Sequence, residues 1–106
     1  MFELGTTVVN VRAAFYDIYI GRGRDPKTGQ VGKWGNPYSH LDGTLAKFKV
    51  DTREEAIERY AEYIQTRPDL LLALRELKGK ILGCWCAPKA CHGQVLANLA
   101  NALEDQ

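Results

Sequence analysis

The apolar and polar positions along the chain divide it into regular segments around one irregular stretch. Thr6–Arg12 is rich in β-branched residues and predicts a first strand. Tyr16–Ile20 alternates up to Gly21 and predicts a second, with Ala13-Ala14-Phe15 short enough for a hairpin-like connection. Gly21–Gly43 then breaks all periodicity and predicts a long loop, the kind that in compact domains is usually functional or mobile. Leu45–Val50 suits a short edge strand or extended arm. Thr52 and Glu55 have capping-box spacing, and Ile57, Tyr60, Ala61 and Ile64 follow on one helical face. Pro68 stops that helix and starts another through Leu70, Leu71, Leu74 and Leu77, with Gly79 as its terminating glycine. Ile81–Cys86 is an uncharged apolar run, as expected of a buried central strand ended by Pro88. A last helix starts at His92-Gly93 and aligns Val95, Leu96, Leu99 and Leu103.

This order, β-β-loop-α-α-β-α, predicts an α/β fold. We expect a small two- or three-layer sandwich whose short, mostly parallel sheet is covered by about three helices. The last strand is expected to pair in parallel with the first. Ligands of open α/β sheets gather at the carboxyl ends of strands. Three segments are expected to meet there: Arg12, Gly21–Arg24 and Cys86–Gly93.

Composition narrows the picture only slightly. A length of 106 residues suits a single domain, here 1–106, and the formal net charge of +1 gives no bulk polyelectrolyte character. No apolar run is long enough for a membrane span, and Met1-Phe2-Glu3-Leu4-Gly5 lacks the basic and apolar parts of a signal peptide. The expectation is a cytoplasmic protein without a membrane partner, whose three cysteines are thiols, ligands or small buried residues.

The sharpest chemistry lies in Cys84-Trp85-Cys86-Ala87-Pro88-Lys89-Ala90-Cys91-His92-Gly93. Cys91 at a helix start is placed for thiolate stabilisation, with His92 as proton carrier and Cys86 nearby, so these three form the candidate catalytic set. Alternatively, Cys84, Cys86, Cys91 and His92 supply zinc-ligand types, although Cys-x-Cys and adjacent Cys-His are awkward spacings. The bland reading buries Cys84 in a strand and makes His92 a helix cap. No other cofactor is expected.

The second segment, Ile20-Gly21-Arg22-Gly23-Arg24 with Gly32-Lys33-Trp34-Gly35-Asn36-Pro37-Tyr38, combines close-approach glycines with basic and aromatic residues. Its spacing matches neither a P-loop nor a dinucleotide fingerprint. Candidate ligand-binding residues are Arg12, Arg22, Gly23 and Lys33 for an anion, Trp34 and Asn36 for a base or sugar, and Gly93 for its helix-start amide. An ordinary glycine-rich turn region explains the loop equally well, and His40 reads as a surface loop residue.

Val9-Asn10-Val11-Arg12, Tyr19-Ile20-Gly21-Arg22-Gly23, Gly32-Lys33-Trp34-Gly35-Asn36-Pro37 and Gly83-Cys84-Trp85-Cys86-Ala87-Pro88 through Cys91-His92-Gly93 together resemble domain of unknown function family 4326. These are small proteins of bacteria and their phages. The resemblance spans nearly the whole chain and implies one domain with one pocket, but no particular reaction. In that pattern Cys-His-Gly is usually followed by Asp, where this chain has Gln94. The change matters if the acid is a catalytic base and little if it caps the helix.

Three functions follow from these readings. The first is a site for a nucleotide, nucleoside or other small phosphorylated molecule, with a hydrolase or transferase reaction at the Cys/His centre. The second is a zinc-stabilised module that binds nucleic acid or protein, with Arg22, Arg24, Lys27 and Lys33 on phosphates. The third is a structural or oligomerising protein without a ligand site, for which the Leu70-Leu71-Leu72 run allows a homodimer face, although a buried helix explains those leucines equally well.

Overall fold

In the computed structural model, residues 5–41, 46–87 and 89–103 are described. The organising element is the uncharged strand near the C-terminal end. Numbered in chain order, the strands are β1 (Thr7–Asn10), β2 (Ile18–Tyr19), β3 (Tyr38–Ser39), β4 (Phe48–Lys49) and β5 (Ile81–Cys84). The helices are α1 (Arg53–Gln65), α2 (Pro68–Ala73), which tightens into a 3-10 turn over Leu74–Leu77, and α3 (Gly93–Asn101). β5 lies between β1 and β2 and runs parallel to both. Its freedom from charge follows from that central place.

The first two strands therefore do not form the expected hairpin. After β1 the chain turns, with Asn10 O accepting from the amides of Ala13 and Ala14, and crosses back to the start of β5. There Asp17 N–H donates to Ile81 O at 2.7 Å, and Ile81 N–H donates to Asp17 Oδ2 at 2.8 Å. The crossing needs room over the sheet, and Gly83 provides it: a Cβ there would lie 2.5 Å from Tyr16 Cγ. Tyr16 is 3% exposed, and its hydroxyl donates to Asp25 at 2.6 Å. Burial, then the bond to Asp25, push its pKa up to about 12.

Residues paired across a parallel sheet share a face, so Val8, Leu82 and Ile18 lie together. One core cluster joins this face to Tyr60 and Ile64 of α1, Leu70 of α2, Leu77, and Leu96 and Ala100 of α3. The result is a two-layer α/β arrangement with parallel strands and three helices.

The local signals explain the element ends. Thr52 Oγ1 accepts the Glu55 amide at 3.0 Å while Glu55 Oε2 accepts from Asp51 N–H, so α1 starts where capping-box chemistry puts it. Such a cap contributes about 1 kcal/mol. Pro68 opens α2 at its first turn, and Gly79 follows the 3-10 turn with φ +75°. The irregular segment holds more structure than its composition suggests. β3 lies within it and pairs in parallel with β4, which is the predicted edge strand shortened. The early part of that prediction, at Leu45, and the Gly43 end of the loop lie outside the described residues.

Candidate functional site

The C-terminal ends of β5 and β2 open into a cleft of about 130 Å³. β5 delivers Cys84, Trp85 and Cys86 to it, and β2 runs on into Gly21 and Arg22. β3 and the residues after it contribute Tyr38, Ser39 and His40, while α1 contributes Arg53 and Ile57. Cys91 and His92, ahead of α3, complete the wall.

Two arginines enter this cleft from different elements. Arg22 donates through Nη1 to Asn36 O at 3.0 Å and Tyr38 O at 3.3 Å. Arg53 donates through Nη1 to Ala90 O at 3.2 Å. Neither meets a carboxylate among the described residues. Each guanidinium is thus positioned by neutral carbonyls. A third, Arg12, lies with its guanidinium carbon 5.1 Å from the centroid of the Trp85 ring.

Trp85 is held at the mouth rather than packed inside. Its exposure is 44%, and Nε1–H donates to Tyr19 Oη at 2.8 Å. The same hydroxyl donates to Arg22 O at 2.7 Å. Tyr19 therefore fixes the ends of β2 and β5 relative to each other, and burial raises its pKa.

The sulfur and imidazole groups divide in an unexpected way. Cys84 and Cys91, both buried, place their sulfurs 3.2 Å apart. The Cys84 sulfur also accepts Ala87 N–H at 3.4 Å. The pairing of the two sulfurs lowers the pKa of the Cys84 thiol and, together with burial, raises that of Cys91. His92, although next in sequence, turns away. Its Nε2 lies 2.6 Å from Ile20 O, and its ring stands edge-on to Tyr60 with centroids 4.8 Å apart. Burial lowers its pKa to about 4, so the ring is neutral at pH 7 and donates Nε2–H to the Ile20 carbonyl.

Two of the three segments expected to converge line one cleft, Gly21-Arg22 and Cys86 with Cys91 and His92, whereas Arg12 does not line it and only approaches Trp85 at its edge. Several individual placements differ. Trp34 is 2% exposed and belongs to the core, so its ring does not face a ligand; Trp85 and Tyr38 are the aromatics at the cleft. Asn36 lines the cleft, but its amide is engaged within the chain, donating to Ala56 O at 3.0 Å and accepting Tyr38 N–H at 2.9 Å. Lys33 lies elsewhere on the surface, where it pairs with Glu76 at 2.9 Å. Gly23 takes φ +72° in a turn. Gly93 brings α3 against the sheet: a Cβ there would come 2.9 Å from both Ile20 Cδ1 and Val8 Cγ1.

Cys91 and His92 are not engaged with each other as a nucleophile–base pair, because imidazole and thiol have separate partners. His92 also makes no side-chain cap for α3. Among the described residues, no group of three or more His, Cys, Asp or Glu side chains is arranged to hold a metal. Sequence reasoning passed over Arg53, Tyr38 and His40. A hydrophobic pattern assigns Arg53 to a solvated helix start, and nothing local to His40 reveals the cleft beside it.

Comparison with known proteins gives a family and two viral relatives. The profile of the family described as Domain of unknown function (DUF4326) matches residues 8–102. An uncharacterised protein of Acanthamoeba polyphaga mimivirus is 32% identical over 96 residues, covering 83% of this chain and 69% of its own. An uncharacterised 12.4 kDa protein from the nrdA-td intergenic region of Enterobacteria phage T4 is 33% identical over 100 residues, covering 91% of this chain and 78% of its own. No solved structure matches.

Proposed function

The chain belongs to the DUF4326 family, and from the geometry of its cleft we propose that it binds a small phosphorylated molecule of nucleotide-like character. The observation that carries this reading is the pair Arg22 and Arg53, which line one cleft from separate elements and, among the described residues, meet carbonyl oxygens and no carboxylate. A guanidinium without a carboxylate partner suits a phosphate, which it can contact through two N–H groups at once. Trp85, held at the cleft mouth by Tyr19, offers an aromatic surface for a flat ring. Cys86, half-buried in the same wall, is the thiol with the most open approach to such a ligand.

Calorimetric titration with adenosine 5′-monophosphate, adenosine and inorganic phosphate tests this. The monophosphate is expected to bind more tightly than either part. Arg53→Ala and Arg22→Ala are each expected to weaken it by tenfold or more, since a charge-assisted hydrogen bond contributes about 1.5–3 kcal/mol. Arg53→Ala is the cleaner test because Arg53 makes a single carbonyl contact. Equal affinity in the folded variants, or no binding of any phosphate-bearing probe, overturns the reading.

A further inference from the structure

Cys84 and Cys91 pair with each other in the cleft wall. Their sulfurs are 3.2 Å apart, both residues are free cysteines, and both line the cleft floor. A disulfide bond is about 2.05 Å long, so closing it requires roughly 1 Å of movement. That movement is available on the Cys91 side. The segment before it is exposed at Lys89 and Ala90, whereas Cys84 is fixed in the central strand. Cys91 is 4% exposed and Cys84 is 1% exposed, so reagents reach them only from the cleft.

We propose that Cys84 and Cys91 form a two-electron redox couple, cycling between dithiol and disulfide, whose oxidant is a hydroperoxide small enough to enter the cleft. Cys84, whose sulfur lies 3.2 Å from that of Cys91 and accepts the Ala87 amide, gives up its proton and attacks one peroxide oxygen as the thiolate. An S–O bond forms, the O–O bond breaks, and the leaving hydroxide or alkoxide takes up a proton. Cys91 sulfur then attacks the sulfenic sulfur. The S–S bond forms, the S–O bond breaks, and water leaves with the Cys91 proton. Two thiols are oxidised by two electrons and one peroxide is reduced to water and water or alcohol. Immediate capture by Cys91 protects the sulfenic acid from further oxidation. The product ties the end of β5 to the start of α3 across the cleft floor. This inference uses the thiol geometry alone and stands apart from the anion reading.

The test is peroxide titration of the reduced full chain, followed by alkylation under denaturing conditions and mass analysis. Oxidised protein is expected to lose two hydrogens and to carry one alkylated thiol, that of Cys86, out of the three cysteines. Trypsin cuts after Lys80 and Lys89, so the bond must join peptide 81–89 to peptide 90–106. Cys86→Ser is expected to retain the link. Cys84→Ser is expected to slow any link to Cys91 by about tenfold or more, since the thiolate sets the rate. Dithiothreitol should restore three alkylatable thiols. The proposal is overturned if the wild-type chain keeps all three thiols at peroxide levels that oxidise free glutathione. It is equally overturned if the bond uses Cys86, joins two chains, or is replaced by sulfinic acid on Cys84.

Discussion

The two tryptophan segments look alike in sequence and behave oppositely in the fold. Gly32–Pro37 turns inward: Trp34 lies in the core, its carbonyl accepts the Tyr60 hydroxyl at 2.8 Å, and the Asn36 amide bonds to Ala56 O. Cys84–His92 turns outward at its first half, where Trp85 and Cys86 meet the cleft, and inward at His92. The first segment mainly buttresses the cleft, reaching its wall only at Asn36, and the second supplies more of its surface. A conspicuous aromatic-polar motif can therefore be scaffold or site, and the difference lies in which backbone groups need partners.

The largest expected break in this contrast is Trp34→Ala. Truncating a fully buried tryptophan costs about 3–5 kcal/mol, a large share of the stability of a small domain. Trp85→Ala, at a half-open position, is expected to cost far less stability while weakening the monophosphate. Chemical denaturation of both variants beside the titration checks the pair, and equal stability losses would erase the distinction.

His92 gives the next effect, through pH. Folded His92 takes its proton near pH 4, whereas the unfolded ring does so near 6.5. Between those values the unfolded chain binds more protons, so stability falls as pH drops through this window, by about 3 kcal/mol in total. Denaturation midpoints at pH 7, 5.5 and 4 should show this loss, and His92→Gln should remove its share of the slope. An unchanged slope in the variant would mean that His92 is not held neutral. Gly83→Ala follows, at about 1–3 kcal/mol, because the new methyl meets the Tyr16 ring. The smallest effect belongs to Lys33→Ala. Its pair with Glu76 is exposed, and such pairs contribute under about 1 kcal/mol. Unchanged ligand affinity in that variant would confirm that Lys33 lies outside the cleft.

The elements were legible where one residue type has one physical meaning. Thr52 and Glu55 marked a helix start, Pro68 a restart, and the uncharged Ile81–Cys84 run a central strand. The parallel pairing of the last strand with the first was also readable. The insertion of β5 between β1 and β2 was not, because it depends on Gly83 accepting Tyr16, a contact between distant parts of the chain. Within the site, Arg22 and the cysteine segment were found because glycine and cysteine patterns are local. Arg53 and His40 were not, since helix and loop reach the cleft only through tertiary packing. Trp34 was misplaced for the same reason: its burial is decided by Tyr60, on a helix far along the chain.

The central position of β5 also sets an order of events during synthesis. β1 and β2 leave the ribosome early, but the strand they both pair with arrives much later. Asp17 and Ile81, which bond to each other, are 64 residues apart. Until β5 emerges, residues 7–19 have no sheet to join and expose unpaired strand edges, a state prone to wrong pairing. The N-terminal segment must therefore wait for the chain to be nearly complete, and the cleft can take shape only as the last helix closes behind it.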